Sequence, residues 1–129
     1  MKSSRGFTVI ELIFVIVAFA AASIIFFVQK NNVEVAARDD TRKTAINAMY
    51  YSLEEVYYKE HSAYPRTITE ELLPSVDPTL LKDPSGVKIG ESTSNYRYEA
   101  SNCDGDKCKA YTLRAELEYE ADYVKENKN

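Results

Sequence analysis

The chain has 129 residues, a formal net charge of −4 and 45% hydrophobic residues, with only two cysteines and one histidine. This length accommodates one small soluble domain beside a single membrane-length segment. The negative net charge argues against a general nucleic-acid-binding surface. The sequence contains no glycine-rich phosphate loop, nucleophile elbow or metal-spaced histidine and cysteine set, so we expect neither enzyme activity nor a cofactor.

An apolar run extends from Phe7 to Val28 and is interrupted only by Thr8, Glu11 and Ser23. At about 1.5 Å per residue, a helix of this length measures about 33 Å, enough to cross a hydrocarbon core of about 30 Å. A carboxylate inside such a run is costly to desolvate and indicates a function that involves a partner. We therefore predict a membrane-spanning helix with a functional carboxylate near its start.

The leader Met1-Lys2-Ser3-Ser4-Arg5-Gly6 and the pattern Gly-Phe-Thr-x-x-Glu that ends at Glu11 closely resemble the class III signal of type IV pilins and pseudopilins. This resemblance implies cleavage after Gly6 by a prepilin peptidase and N-methylation of the new terminal Phe7. It also implies that Glu11 guides the subunit into a helical filament. The resemblance further implies a homopolymer, which a pilus assembly machinery builds from subunits stored in the cytoplasmic membrane.

The predicted leader is residues 1–6, and residues 7–28 are the segment that lies in the membrane or the filament core. Where the family commonly has helix-loosening glycine and proline, this chain has Ala20 and Val28, so we predict an uninterrupted helix. An ordinary signal peptide, cut at the small residues near Ala20, is a rival interpretation. Its apolar core should end at the cut, whereas this run continues to Val28. The basic residues on both sides do not decide the orientation by their number.

Residues 29–60 are predicted to continue the helix as an amphipathic segment, because no glycine or proline occurs there. Apolar residues at spacings of three and four form a stripe opposite a polar face. The stripe comprises Ala45, Met49, Leu53 and Val56 or Tyr57, and the polar face comprises Arg42, Lys43, Glu54, Glu55 and Lys59. We expect the stripe to face the core of a headgroup and residues 29–44 to pack against other subunits.

Residues 61–129 are predicted to form this small globular headgroup. The helix must end before Pro65, because proline disfavours helical geometry in the residue before it. Thr67 and Glu70 have the spacing of a capping box, which predicts a short helix through Leu73.

Two stretches, residues 96–100 and 111–119, alternate apolar and polar side chains as half-buried strands do. The segment between them is rich in turn formers, so we predict an antiparallel hairpin that covers the helix stripe. A register centred on this loop would place Arg97 opposite Arg114, an unfavourable pair of like charges. We therefore predict a register shifted by two residues, with Arg97 opposite Glu116.

Cys103 and Cys108 lie in the predicted hairpin loop and indicate a disulfide in an oxidising compartment. Asp104 and Asp106 are weak candidates for calcium ligands, as in the acidic loops of pseudopilins. A solvated turn is favoured, because the loop lacks the fuller ligand series of an EF-hand. The polar residues 122–129 are expected to fray.

These patterns predict an α+β fold with a long amino-terminal helix packed on a small antiparallel sheet. The resemblance implies that the chain is a structural subunit of a type IV pilus-like filament. The resemblance places the amino terminus in the cytoplasm and the headgroup outside the membrane, before transfer to an extracellular filament. One alternative is a pseudopilin of a type II-like secretion system. The other is a bitopic membrane protein that keeps its leader and carries a small extracytoplasmic binding domain. We expect no nucleic-acid partner.

Overall fold

A computed structural model describes residues 6–129 and confirms the predicted α+β fold, a long helix followed by a four-stranded antiparallel sheet. Residues 1–5 of the predicted leader lie outside the described residues. The helical elements are α1 (Val9–Tyr51), a π-helical segment (Ser52–Tyr57), α2 (Tyr58–His61) and a 3₁₀ helix (Pro78–Leu81). The strands are β1 (Tyr64–Pro65), β2 (Tyr96–Asp104), β3 (Lys107–Ala115) and β4 (Tyr123–Glu126). The chain divides into two compact units, one ending at Val35 and one comprising Ala36–Asn129.

Helix α1 is continuous through Ala20 and Val28, as predicted. It contains neither proline nor glycine, so every interior backbone amide can donate to the preceding turn. The last helical residue is His61, one residue beyond the predicted end, and Ser62 follows in a left-handed conformation with φ of 53°. A residue in this conformation ends a helix by turning the chain out of the helical path.

The predicted apolar stripe forms one side of the core. Ala45, Met49 and Leu53 are buried, and so is Ile46, which the sequence analysis did not include. The rest of the core includes the inward-facing sheet residues Tyr96, Tyr111, Leu113 and Ala115. Buried residues of the segment between β1 and β2 complete it: Ile68, Leu73, Val76, Leu81 and Ile89. The core therefore lies between the helix and one face of the sheet.

Glu54 was predicted to lie on the polar face of the helix. This prediction is wrong, because Glu54 is only 4% exposed. Glu54 belongs to the π-helical segment Ser52–Tyr57. A π-helix has more residues per turn than an α-helix, so successive side chains are separated by a smaller angle. Leu53 and Glu54 can therefore both reach the core side.

The buried Glu54 carboxylate accepts four hydrogen bonds. The hydroxyls of Tyr64 and Tyr111 donate over 3.0 and 2.8 Å, the backbone amide of Lys128 donates over 3.0 Å, and the side-chain amide of Asn129 donates over 3.1 Å. Burial and the hydrogen bond to Glu54 raise the pKa of Tyr64 to about 12. These donors replace the water that a buried carboxylate loses.

Arg42, also predicted on the polar face, is buried in an ionic cluster with Asp39 and Glu118. Its Nη1 donates to Asp39 over 2.6 Å and to Glu118 over 3.0 Å. Asp39 also accepts from the backbone amides of Glu118 and Tyr119. Around Asp39 and Arg42, the segment that we expected to contact other subunits instead packs within the chain.

The predicted strand over residues 111–119 ends at Ala115, and the residues after it turn towards α1. Glu118 binds Arg38 with both carboxylate oxygens, each over 2.8 Å, and Glu120 pairs with Lys43 over 2.9 Å. The charged residues that continue the alternating pattern after Ala115 thus bind helix α1 and do not extend the strand. Alternation in the sequence does not by itself distinguish these two structures.

The predicted shift of the hairpin register is wrong, because Arg97 lies directly opposite Arg114. Gly105 and Asp106 form a tight turn, with φ of 63° at Gly105, and Cys103 lies opposite Cys108. A shift of two residues would separate the cysteines. Turn geometry and the disulfide therefore outweigh charge pairs worth about 0.2–1 kcal/mol each.

Two further predictions about the headgroup are wrong. Residues 67–73 form turns and not a helix. Within these turns, the Thr69 hydroxyl accepts a hydrogen bond from the Leu72 amide. Residues 122–129 contain strand β4, which pairs with β3. Sequence polarity suggested fraying there, whereas backbone pairing and the contacts with Glu54 hold this segment in place.

Replacing Glu54 with Gln should destabilise the headgroup by about 1–3 kcal/mol, because an amide nitrogen would face hydrogen-bond donors inside the core. All ten tyrosines lie beyond residue 49, so the tyrosine band in near-ultraviolet circular dichroism of the full chain in detergent reports on this unit. The thermal midpoint should fall by several degrees. Glu55→Gln, at a half-exposed neighbouring position, is the matched control; an equal effect of both substitutions would contradict the importance of the buried carboxylate.

The ionic cluster should make the headgroup less stable in acid. Hydrogen bonds from Arg38 and Arg42 lower the pKa of Glu118 to about 2 from 4.5. Burial acts to raise the pKa of Asp39, but hydrogen bonds from the amides of Glu118 and Tyr119 and from Arg42 outweigh it and lower the pKa.

Because both folded-state pKa values lie below the unfolded ones, this stabilisation is complete above pH of about 4.5 and is lost as pH falls towards about 2. Thermal midpoints measured across this range should decrease, and Glu118→Gln should flatten the decrease. Glu116→Gln is the control, since Glu116 approaches Arg97 only to 4.0 Å. An unchanged profile in Glu118→Gln would show that other groups cause the acid sensitivity.

Candidate functional site at the start of the amino-terminal helix

The first part of α1 is a candidate membrane span by length and composition. Its large apolar side chains from Phe7 to Val28 are all exposed, from 43% at Val15 to 82% at Phe7. A helix that is apolar all round requires an apolar surrounding, which is a membrane or the interior of an assembly. The hydroxyl of Ser23 donates to the carbonyl of Phe19 over 2.8 Å, so this polar group is satisfied within the helix.

Glu11 forms a reciprocal capping box with Thr8 at the start of this span. The Thr8 amide and hydroxyl both donate to Oε2 of Glu11, over 2.8 and 3.0 Å, and the Glu11 amide donates to the Thr8 hydroxyl over 3.3 Å. Within residues 6–129, Oε1 of Glu11 accepts no hydrogen bond. The carboxylate thus caps the helix with one oxygen and keeps the other available.

Gly6 and Phe7 precede the helix in an exposed segment without regular secondary structure. A Cβ atom added at Gly6 would meet no other atom within 4 Å. The fold therefore provides no steric reason for glycine at this position. Both residues of the Gly6–Phe7 bond are exposed.

The predicted disulfide between Cys103 and Cys108 is formed. The two residues face each other across the β2–β3 hairpin, and Cys108 is completely buried. Asn102, with φ of 53°, lies next to Cys103 on β2. On β3, Cys108 and Tyr111 are both buried although they are three residues apart, so strict alternation of buried and exposed residues does not hold between them.

The weak calcium candidates Asp104 and Asp106 lie at the tip of this hairpin. In the described part of the chain, no three side chains of the histidine, cysteine, aspartate or glutamate type come together as a metal site. The structure therefore brings no additional ligand of these types to the two aspartates. The cysteines and the carboxylate at the start of α1 belong to different compact units.

Removing the disulfide by Cys103→Ser with Cys108→Ser should lower headgroup stability by about 2 kcal/mol, the chain-entropy value for so short a loop. The hairpin should persist, because β3 also pairs with β1 and β4. The free energy of unfolding of the full chain in detergent measures the loss. The parent protein under reducing conditions is the matched control and should behave like the double variant. A double variant as stable as the oxidised parent would remove any stabilising role of the disulfide.

No family model, curated protein or solved structure matches this chain. A function must explain three features: the exposed apolar helix, the capping carboxylate whose Oε1 accepts no hydrogen bond within residues 6–129, and the exposed Gly6–Phe7 bond.

Proposed function

We propose that the chain is a structural subunit of a type IV pilus-like filament, inserted in the membrane as a precursor and polymerised through its amino-terminal helix. One observation carries this proposal: the apolar, membrane-length part of α1, which ends at Val28 and is exposed on every side, contains a single carboxylate, Glu11, in its first turn. A plain membrane anchor needs the apolar surface but not the charge. An assembly helix uses both.

The apolar surface of the helix can be covered first by lipid and then by the helices of other subunits. Transfer between these surroundings keeps the apolar side chains out of water, so the change can be nearly balanced in free energy. The carboxylate responds differently. Near the membrane surface it can reach interfacial water, whereas inside an assembly it requires a cation or a set of donors.

The amine of a newly exposed Phe7 would be that cation. An unperturbed terminal amine has a pKa of about 8 and is therefore mostly protonated at neutral pH. Oε1 of Glu11 is available to it, on the same subunit or a neighbouring one, without loss of the hydrogen bonds that Thr8 makes to Oε2. Cleavage after Gly6 would thus create the partner of the carboxylate.

The resemblance of the leader and of Gly6-Phe7-Thr8-Val9-Ile10-Glu11 to the signal of type IV pilins supports this sequence of events. The proposal implies a prepilin peptidase that removes the leader, N-methylation of Phe7 and a machinery that extracts the subunit from the membrane. The headgroup would then lie outside the cytoplasmic membrane, where its disulfide can form.

Mass spectrometry of the native amino terminus separates this proposal from a permanent membrane anchor. A methylated Phe7 as the first residue supports a processed subunit, whereas an intact Met1 supports a bitopic protein that retains its leader. Substituting Gly6 should block processing and keep the leader attached. A Gly6 variant that is still cut between residues 6 and 7 would contradict the assigned cleavage site.

Replacing Glu11 with Gln should leave membrane insertion and the headgroup intact while impairing assembly. A loss of about 1.4 kcal/mol per subunit contact would lower the association constant about tenfold. Filaments counted by electron microscopy, at equal amounts of cleaved subunit, measure the effect.

Two controls separate pairing from capping. Thr8→Val removes the hydroxyl contacts of the cap but keeps the charge of Glu11, so it should impair assembly less than Glu11→Gln. Glu34→Gln removes an exposed carboxylate that pairs with Lys30 after the apolar run and should have little effect. If correctly cleaved Glu11→Gln subunits assemble as well as the parent, the carboxylate is only a helix cap.

A further inference from the structure

The sheet face that is turned away from the core carries charges in rows. Arg97 of β2 lies directly opposite Arg114 of β3, and we call these two residues the basic row. Two residues further along β2, Glu99 lies opposite Thr112, which lies opposite Glu126 of β4. We call Glu99 and Glu126 the acidic row. The observed register thus creates adjacent stripes of opposite charge.

The charges of the basic row are only loosely compensated within the chain. Nε of Arg97 lies 4.0 Å from Glu116 and Nε of Arg114 lies 3.8 Å from Asp122, both beyond hydrogen-bonding distance. The arginine side chains are 38% and 39% exposed. Arg97 also donates to the carbonyl of Ser92 over 3.3 Å. Among residues 6–129, Arg114 donates no side-chain hydrogen bond, and neither member of the acidic row forms an ion pair.

The two rows are self-complementary. They are separated by two residues along the strand, or about 6.6 Å. Two copies can be related by a twofold axis that runs perpendicular to the strands, midway between the two rows. This axis places the basic row of the second copy on the acidic row of the first copy. The same operation places its acidic row on the first copy's basic row, which is the reciprocity of an isologous contact. A purely acidic or purely basic partner would instead meet one repulsive row.

We propose that this face, composed of the basic and acidic rows, is a self-association surface that joins headgroups of two separate assemblies side by side. An isologous contact is closed after two copies, whereas the repeating contact of a filament is heterologous. This face is therefore suited to lateral contacts between filaments, a use that rests on the proposed function. Its occupant is a second copy of the same chain.

A single contact of this kind is weak. Three strands spaced about 4.8 Å apart offer far less than the roughly 800 Å² per partner of a stable interface. Copies held in an array, along a filament or in a membrane, make many such contacts at once, and their effects multiply. Because the pairs are exposed ion pairs, salt should weaken them strongly.

Aggregation of phosphatidylcholine vesicles that carry the full chain, followed by turbidity, tests the proposal without a peptidase or an assembly machinery. Parent vesicles should aggregate at low salt and disperse at about 0.5 M salt. Arg97→Glu with Arg114→Glu reverses the basic row and should slow aggregation at least tenfold, and Glu99→Arg with Glu126→Arg should do the same. Mixing these two vesicle populations should restore aggregation, because each variant then meets opposite charges on the other.

Lys82→Glu with Lys128→Glu is the matched control, since it changes the net charge as the reversed basic row does, at exposed positions outside the face. It should aggregate like the parent. Near-ultraviolet circular dichroism confirms that each variant is folded, and any row variant that is unfolded is replaced by the corresponding Gln variant, which should also slow aggregation.

Three outcomes overturn the proposal: parent vesicles that stay dispersed at low salt, row-reversed vesicles that aggregate like the parent, or a mixture of the reversed populations that stays dispersed. Failure of the proposed function is distinguishable from all three. If cells make no filaments while vesicles pair as described, only the filament assignment fails. If filaments form but vesicles carrying the parent do not pair, only the role of this face fails.

Discussion

The hydrogen bonds that converge on Glu54 hold the headgroup together at one point. They join the helical segment to Tyr64 of β1, Tyr111 of β3 and the last two residues of the chain. A buried carboxylate without such donors would cost several kcal/mol, so the sheet cannot slide along the helix without a large loss. The packing of apolar residues supplies most of the stabilisation, while this polar centre selects one arrangement of the sheet on the helix.

The sequence predicted those parts of the fold that follow from strong periodicity or from the lack of proline and glycine. The long helix follows from the lack of proline and glycine, and the core stripe of Ala45, Met49 and Leu53 follows from α-helical spacing. The two strands of the hairpin follow from alternation, and the disulfide from two cysteines beside turn-forming residues. In each case one local property dominates, and no distant contact needs to be known.

The predictions that failed depend on partners far away in the sequence. Glu54 and Arg42 have the polarity of surface residues and become buried only because distant donors and acceptors meet them. The π-helical turn that brings Glu54 inward has no evident sequence signal. The last residues look like a frayed tail until the open edge of β3 is taken into account. The hairpin register failed differently, because a weak charge argument was preferred to the stronger constraint of the turn.

For the candidate site, the pattern from Gly6 to Glu11 could be found from sequence, and so could the capping spacing of Thr8 and Glu11. The distribution of hydrogen bonds between the two carboxylate oxygens could not. Nor could the stripes of the outer sheet face, since they depend on the observed register of three strands. Local motifs are thus readable from the sequence, whereas surfaces assembled from several strands require the fold.

The polar contacts of Glu54 also determine when the headgroup can complete its fold. Glu54 and its donor Lys128 are separated by 74 residues, and Asp39 and Tyr119 by 80. Contacts so distant in sequence form late and slowly. During synthesis, the helix is present early, while Glu54 and Asp39 remain hydrated until residues 118–129 have been made. The core can therefore close only when this entire region is present, and a chain halted midway would expose its apolar stripe to aggregation or proteolysis.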